Sequence, residues 1–173
     1  MRQNIWTFPI GLLYAAVTVV VLYHQRLYIN LIENLYYLLM NAYGWFYWRI
    51  GANLQDNGQL PIRRLPIRQW PALLALLAVT SVAFGWLFDT QTDADLAYWD
   101  SFTTVLSFLA MWLTARKYLE NWWLWLVVDV LYVGLYLYKE LEPYALLYGL
   151  YIVMAVIGYR AWTQSMQLQP SSA

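Results

Sequence analysis

Six stretches of this chain are each long and apolar enough to cross a lipid bilayer, and nothing else in it limits the fold so tightly. They span residues 5–23, 27–48, 70–88, 99–115, 122–138 and 144–162. A crossing helix takes about 20 mainly apolar residues. The chain as a whole is 62% apolar and 12% charged, against about 45–50% and 25% for a soluble domain. In lipid the backbone must satisfy its own hydrogen bonds, which leaves helices or a closed barrel. The runs lack the alternation of barrel strands, so the expected fold is an all-α integral membrane protein with six transmembrane helices. The same composition excludes disorder. The absence of cysteine excludes a disulfide scaffold or a thiolate zinc site. The first segment is not read as a signal peptide, because its run is longer than a signal core and no small-x-small cleavage site follows.

Loop charge sets the expected orientation, since Lys and Arg collect on the cytoplasmic side. With both termini inside, Arg2, Arg49, Arg63, Arg64, Arg68, Arg116, Lys117 and Arg160 share one side. The other side receives Arg26 and Lys139 with Asp89, Asp93, Asp95, Glu140 and Glu142. The one sizeable polar loop, 52–68, carries Gly58, Pro61 and Pro66 and reads as an irregular cytoplasmic linker. Ten basic and ten acidic residues balance to zero, which implies no basic surface for nucleic acid.

An internal repeat is present. Sliding the chain along itself until Gly44 meets Gly158 also brings Trp48 onto Trp162, Tyr37 onto Tyr151 and Asn34 onto Tyr148. The second and sixth segments run the same way, the pattern of a parallel repeat about an axis along the membrane normal. Gly-x-x-x-Trp also suits a close helix contact with an interfacial Trp. If the last three segments form one unit and the third is a connector, the first unit is one helix short.

Polar groups inside a membrane are costly and usually face a cavity or a partner. On the fifth segment, Trp122, Trp125, Asp129, Tyr132 and Tyr136 fall within a stripe of roughly 80°. A carboxylate among aromatic faces suits an organic cation, or else a carboxylate paired with a neighbouring helix. The second segment aligns Asn34, Tyr37, Asn41, Trp45 and Trp48, with Glu33 at the edge. Its amides suit either a polar ligand or bonds between helices. The fourth segment carries Asp100, Thr103, Thr104, Ser107 and Thr114 on one face, a pattern that favours close packing over a polar path. The sixth aligns Tyr144, Tyr148, Tyr151, Gly158 and Trp162. The only histidine is His24, which argues against a histidine-based metal site or a Ser-His-Asp triad. No phosphate-binding loop is present, so no enzyme, metal or cofactor is expected.

Trp99-Asp100-Ser101, Ala115-Arg116-Lys117-Tyr118-Leu119-Glu120-Asn121-Trp122-x-x-Trp125, Asn41-x-Tyr43-Gly44-Trp45-x-x-Trp48 and Gly158-x-x-x-Trp162 together resemble the PnuC family of bacterial vitamin transporters. The resemblance runs over nearly the whole chain. It implies seven helices, two three-helix bundles joined by a connecting helix, similar to full-length SWEET sugar transporters. It implies facilitated uptake of nicotinamide riboside for NAD biosynthesis, trapping by a cytoplasmic kinase, and homotrimers in the lipid of the bacterial inner membrane. On that pattern 1–50 is a first bundle lacking its first helix. Residues 51–95 are linker and connector, 96–163 the second bundle and 164–173 a polar cytoplasmic tail. The implied pocket uses Trp122, Trp125, Asp129, Tyr132, Tyr136, Asn34, Tyr37, Asn41, Tyr148 and Tyr151. Gly44, Trp48, Trp99, Asp100, Gly158 and Trp162 would pack or gate. Asn34 stands where the family usually has glutamine, and Asp129 where it has asparagine. Those departures leave thiamine, another cationic vitamin, as an alternative cargo. A membrane scaffold without substrate, its stripes serving as helix contacts, is the reading from another class.

Overall fold

The computed structural model describes residues 5–24, 28–54, 59–91 and 96–169. The expectations placed on Arg2, Arg26, Gly58, Asp93 and Asp95 lie outside them. Among the described residues there are six α-helices: α1 (Thr7–His24), α2 (Tyr28–Asn53), α3 (Trp70–Gln91), α4 (Ala97–Ala115), α5 (Asn121–Tyr138) and α6 (Glu142–Gln167). A 3₁₀ turn, Ile67–Gln69, leads into α3. Each helix covers one expected segment, and α2 and α6 run several residues further than their apolar cores. Pro143 occupies the first turn of α6, where its missing N–H costs nothing.

Three helices, α3, α5 and α6, are long and apolar enough to cross a membrane on length and composition alone. The apolar stretch of α1 is shorter, Thr7–Val21. The polar residues of α2 and α4 dilute those helices, and the structure turns several of them inward. Most of the α4 hydroxyls bond within their own helix. Thr103, Ser107 and Thr114 donate to carbonyls of their own helix at 2.8–3.0 Å. Thr104 instead reaches Glu33 on α2, Oγ1 to Oε1 2.9 Å.

Two helix ends are built alike. α4 ends with Lys117 at φ 61° and α5 with Glu140 at φ 57°. Tyr118 N donates to Leu113 O and Lys117 N to Thr114 O. Leu141 N and Glu140 N repeat the pattern on Tyr136 O and Leu137 O. Both are Schellman ends, a motif that usually places glycine at the left-handed position.

From neighbour to neighbour the helices run α1, α2, α4, α5, α6, and α3 lies on α4. α4 is the most enclosed: Ala110, Leu113 and Ala115 have no exposure. One end of the molecule gathers Arg49, Arg63, Arg64, Arg68, Arg116, Lys117 and Arg160 and is termed the basic end. The opposite end, with Asp89, Glu140 and Glu142, is the acidic end.

The internal repeat has a three-dimensional counterpart. A Cβ on Gly44 would stand 2.3 Å from the ring of Phe8, and one on Gly158 2.3 Å from the ring of Trp122. The slide that superposes the two glycines also superposes Phe8 on Trp122. Thus α1 closes on α2 as α5 closes on α6, each by an aromatic ring seated on a glycine. α4 packs against both α2 and α5. Among the described residues no helix holds the matching place between α6 and α1.

The described part of the linker, residues 59–66, is irregular as expected, but it is docked. Leu60, Ile62 and Leu65 are buried. Arg63 N donates to Lys117 O at 3.1 Å and Leu119 N to Arg63 O at 2.9 Å. Leu65 N donates to Glu120 Oε2 at 2.9 Å. This strap is docked across the basic end because its alternating apolar residues find a partner in the α4–α5 turn, which is distant in sequence.

Candidate functional site

A cavity of about 700 Å³ lies between the two helix pairs. From α5, successive turns present Trp122, Trp125, Asp129 and Tyr132 to it, as a helical repeat of 3.6 requires. Asp129 is midway along α5 and only 5% exposed. α2 contributes Glu33, Asn34 and Tyr37, and α6 contributes Tyr148, Tyr151 and Met154. The side towards α1 is open: Tyr14 is 72% exposed and Tyr151 41%. Two carboxylates, Glu33 and Asp129, line the space, and among the described residues no Lys, Arg or His does. The hollow of about 420 Å³ between Tyr36, α3 and α4 has apolar walls apart from Tyr36 and Thr80, and its shape offers a charged ligand nothing.

Aromatic rings close the cavity at the basic end. Trp48 meets Trp162 at 5.9 Å between ring centroids, and Trp162 meets Trp122 edge-on at 5.4 Å. Phe8 packs on the other side of Trp48 at 4.9 Å. Trp48 Nε1 donates to Ala115 O at 3.0 Å, which fixes the ring. Trp125 Nε1 donates to Thr114 Oγ1 at 3.0 Å. Trp122 Nε1 is buried with no partner among the described residues, a donor left over beside the cavity.

Towards the acidic end, tyrosines form a stack. Tyr132 and Tyr148 lie 4.7 Å apart, Tyr136 and Tyr148 5.3 Å, and Tyr136 and Tyr144 5.2 Å. Stacked rings present a continuous π surface leading from that end to Asp129. Asp100, near the start of α4, stands within electrostatic reach of Glu33, Tyr132 and Tyr136.

Eight of the ten residues expected to bind substrate surround this cavity: Trp122, Trp125, Asp129, Tyr132, Asn34, Tyr37, Tyr148 and Tyr151. Tyr136 sits one turn beyond it in the tyrosine stack. Asn41 lies outside the lining: Nδ2 donates to Tyr37 O at 2.8 Å, and the side chain packs against Gly11. Gly44, Trp48, Gly158 and Trp162 assemble at the basic-end closure. Trp99, 40% exposed, is on the outer surface. The lining also takes in Thr7, Tyr14, Ser107 and Met154. Of these only Ser107 lay on a stripe legible in the sequence. Phe8 escaped notice because a lone Phe in an apolar run carries no signal, although the repeat places it on Trp122.

The family model for nicotinamide mononucleotide transporters matches residues 1–164. The nicotinamide riboside transporter PnuC of Escherichia coli is 28% identical over 99% of this chain and 81% of its own length. The protein of the same name from Neisseria mucosa is 30% identical over 94% of this chain and 65% of its own length. The riboflavin/roseoflavin transporter RibM of Streptomyces davaonensis is 26% identical over 93% of this chain and 76% of its own length. A crystal structure of the vitamin B3 transporter PnuC superposes with a TM-score of 0.74 at 26% identity, over 98% of this chain and 76% of that one.

Proposed function

The chain belongs to the nicotinamide mononucleotide transporter family, and on that premise we propose that it carries nicotinamide riboside across the bacterial inner membrane by facilitated transport. It is a membrane transporter and not an enzyme. The observation that carries the choice of cargo is the charge of the cavity, two carboxylates among aromatic faces and, from the described residues, no cationic side chain. A pyridinium ring loses its water on entry, and the faces of Trp122, Trp125 and Tyr132 replace that water with cation–π contact. Asp129 balances the charge. Asn34 and the unpaired Trp122 N–H serve the ribose and carboxamide oxygens. Tyr148 and Tyr151 close the pocket from α6, and Tyr37 from α2.

The basic end faces the cytoplasm in this proposal, supported by the distribution of Lys and Arg. Transport rocks the α1–α2 side against the α4–α6 side around the cavity. The tryptophan closure and the tyrosine stack then open in turn. Residues 96–163 act as one bundle, with α3 as connector. A homotrimer, and a cytoplasmic kinase that phosphorylates and traps the vitamin, complete the proposal on the family resemblance.

The similarity to a riboflavin transporter favours a second cargo, but a neutral flavin makes no use of Asp129. Titration of the purified protein with nicotinamide riboside, thiamine and riboflavin, followed by quenching of its eleven tryptophans, decides among them. Saturable quenching by nicotinamide riboside alone, matched by its uptake into proteoliposomes, is expected. Quenching by thiamine or riboflavin instead reassigns the cargo, and silence from all three removes this cavity as the site of vitamin binding.

A further inference from the structure

Lys117 is the one described lysine that is buried, at 2% exposure. Its backbone is held left-handed at φ 61°, and its own carbonyl accepts from Arg63 N of the strap. The side chain turns inward. Nζ donates to Leu60 O of the strap and stands 4.5 Å from the ring centroid of Trp48. A cation is therefore enclosed among three parts that meet at the closed basic end: the strap, the α2 tryptophan and the α4–α5 turn.

We propose that Lys117 acts as a loaded positioning residue, its buried ammonium biasing the closed basic end towards opening because opening returns the charge to water. The proposal rests on the reading of the Trp48–Trp162 contact as the closure of a transport path. A carbonyl and a ring face replace only part of the hydration an ammonium loses on burial.

Among the described residues, the charges at this end do not restore the balance. Arg49 on α2, Arg63 and Arg64 on the strap, Arg116 on the same turn and Arg160 on α6 are all cations. The other titratable groups on the turn are Tyr118 and Glu120, and the Glu120 carboxylate is engaged by Leu65 N. Burial lowers the Lys117 pKa to about 8. The sign of the linkage follows. The closed state has the lower pKa, so it binds fewer protons than the open state between about 8 and the usual lysine value of about 10.4. Raising the pH through this window favours closure, and lowering it favours opening.

The chain has no cysteine, so Ala155→Cys supplies a single reporter. Ala155 is buried, lines the cavity and lies two turns above Trp162. Its labelling by a membrane-impermeant maleimide, applied in liposomes to the basic-end face, reads the open population without any substrate. Rates are taken relative to the same reporter with Lys117→Arg, whose guanidinium stays charged throughout. That ratio removes the intrinsic pH dependence of the thiol. From about pH 7 to about pH 9, below ordinary tyrosine titration, the wild-type ratio should fall by about three- to tenfold. With Lys117→Met the ratio should be low at both pH values and flat between them. A wild-type ratio that stays flat or rises overturns the proposal, as does a Lys117→Met ratio that falls with pH as the wild type does. If Lys117→Met does not fold, the wild-type series against Lys117→Arg decides alone. Failure of the vitamin to quench or to be taken up counts against the transport reading and leaves the labelling result legible.

Discussion

At the scale of single residues, the glycines under the aromatic rings make the sharpest claims. A Cβ on Gly158 would stand 2.3 Å from Trp122 Cη2, so Gly158→Ala must push that ring into the cavity or away from Trp162. Overpacking of this kind costs about 1–3 kcal/mol. Thermal unfolding in detergent should show the lower midpoint, and quenching by nicotinamide riboside should weaken with it. Gly149, on the same helix, has nothing within 4 Å of its would-be Cβ. Gly149→Ala should leave binding unchanged and raise stability by about 0.5–1 kcal/mol through helix propensity. An equal loss in both variants would mean that the ring contact is not what Gly158 serves. Asp129→Asn keeps the shape and removes the charge. It should loosen binding of nicotinamide riboside by about tenfold, or about 1.4 kcal/mol, and unchanged binding would take the carboxylate out of the site. Asp129 and its aromatic stripe were legible in the sequence because helical spacing alone puts them on one face. Lys117 was not, because a left-handed residue other than glycine leaves no mark in composition, and its burial depends on a strap more than fifty residues away.

At the scale of elements, all six helices were legible as apolar runs, although, among the described residues, only α3, α5 and α6 are long and apolar enough to cross a membrane on length and composition alone. Their ends were less so. α2 and α6 run on past their apolar cores, since helical hydrogen bonds continue into water where nothing interrupts them. The α4 and α5 ends depend on Lys117 and Glu140 adopting a conformation that costs an L-residue about 1–2 kcal/mol. Glu140 is exposed, so Glu140→Gly removes that cost at the expense of glycine's greater unfolded entropy. The net gain should be about 0.5–1 kcal/mol, seen as a higher unfolding midpoint with uptake unchanged. A lower midpoint would show that the carboxylate itself holds the α5–α6 turn. That the irregular strap is docked is hidden in the sequence for a related reason. Pro61 and Pro66 mark turns correctly, but the burial of Leu60, Ile62 and Leu65 is decided by the α4–α5 turn, and no local pattern reports a partner so far along the chain.

At the scale of the whole molecule, the repeat explains why the closure lies where it does. Trp48 and Trp162 are repeat mates, and they touch, at 5.9 Å between centroids. Two equivalent residues meet each other only beside the axis that relates them. Phe8 and Trp122, the next pair of mates, flank them on opposite sides. Any tilt of the two halves that opens the basic end must therefore part Trp48 from Trp162. An aromatic pair contributes about 0.5–1.5 kcal/mol beyond its buried area. Trp48→Leu and Trp162→Leu each remove the same contact from opposite sides, so their effects on stability should not add. In a double-mutant cycle on the unfolding free energy, the coupling should exceed the roughly 0.3–0.5 kcal/mol scatter of independent sites. The two single variants should also change the rate of nicotinamide riboside exchange in the same direction, and the double variant by little more than either. Additive effects on both measurements would mean that the halves close through other contacts and that the Trp48–Trp162 contact beside the repeat axis is not the closure.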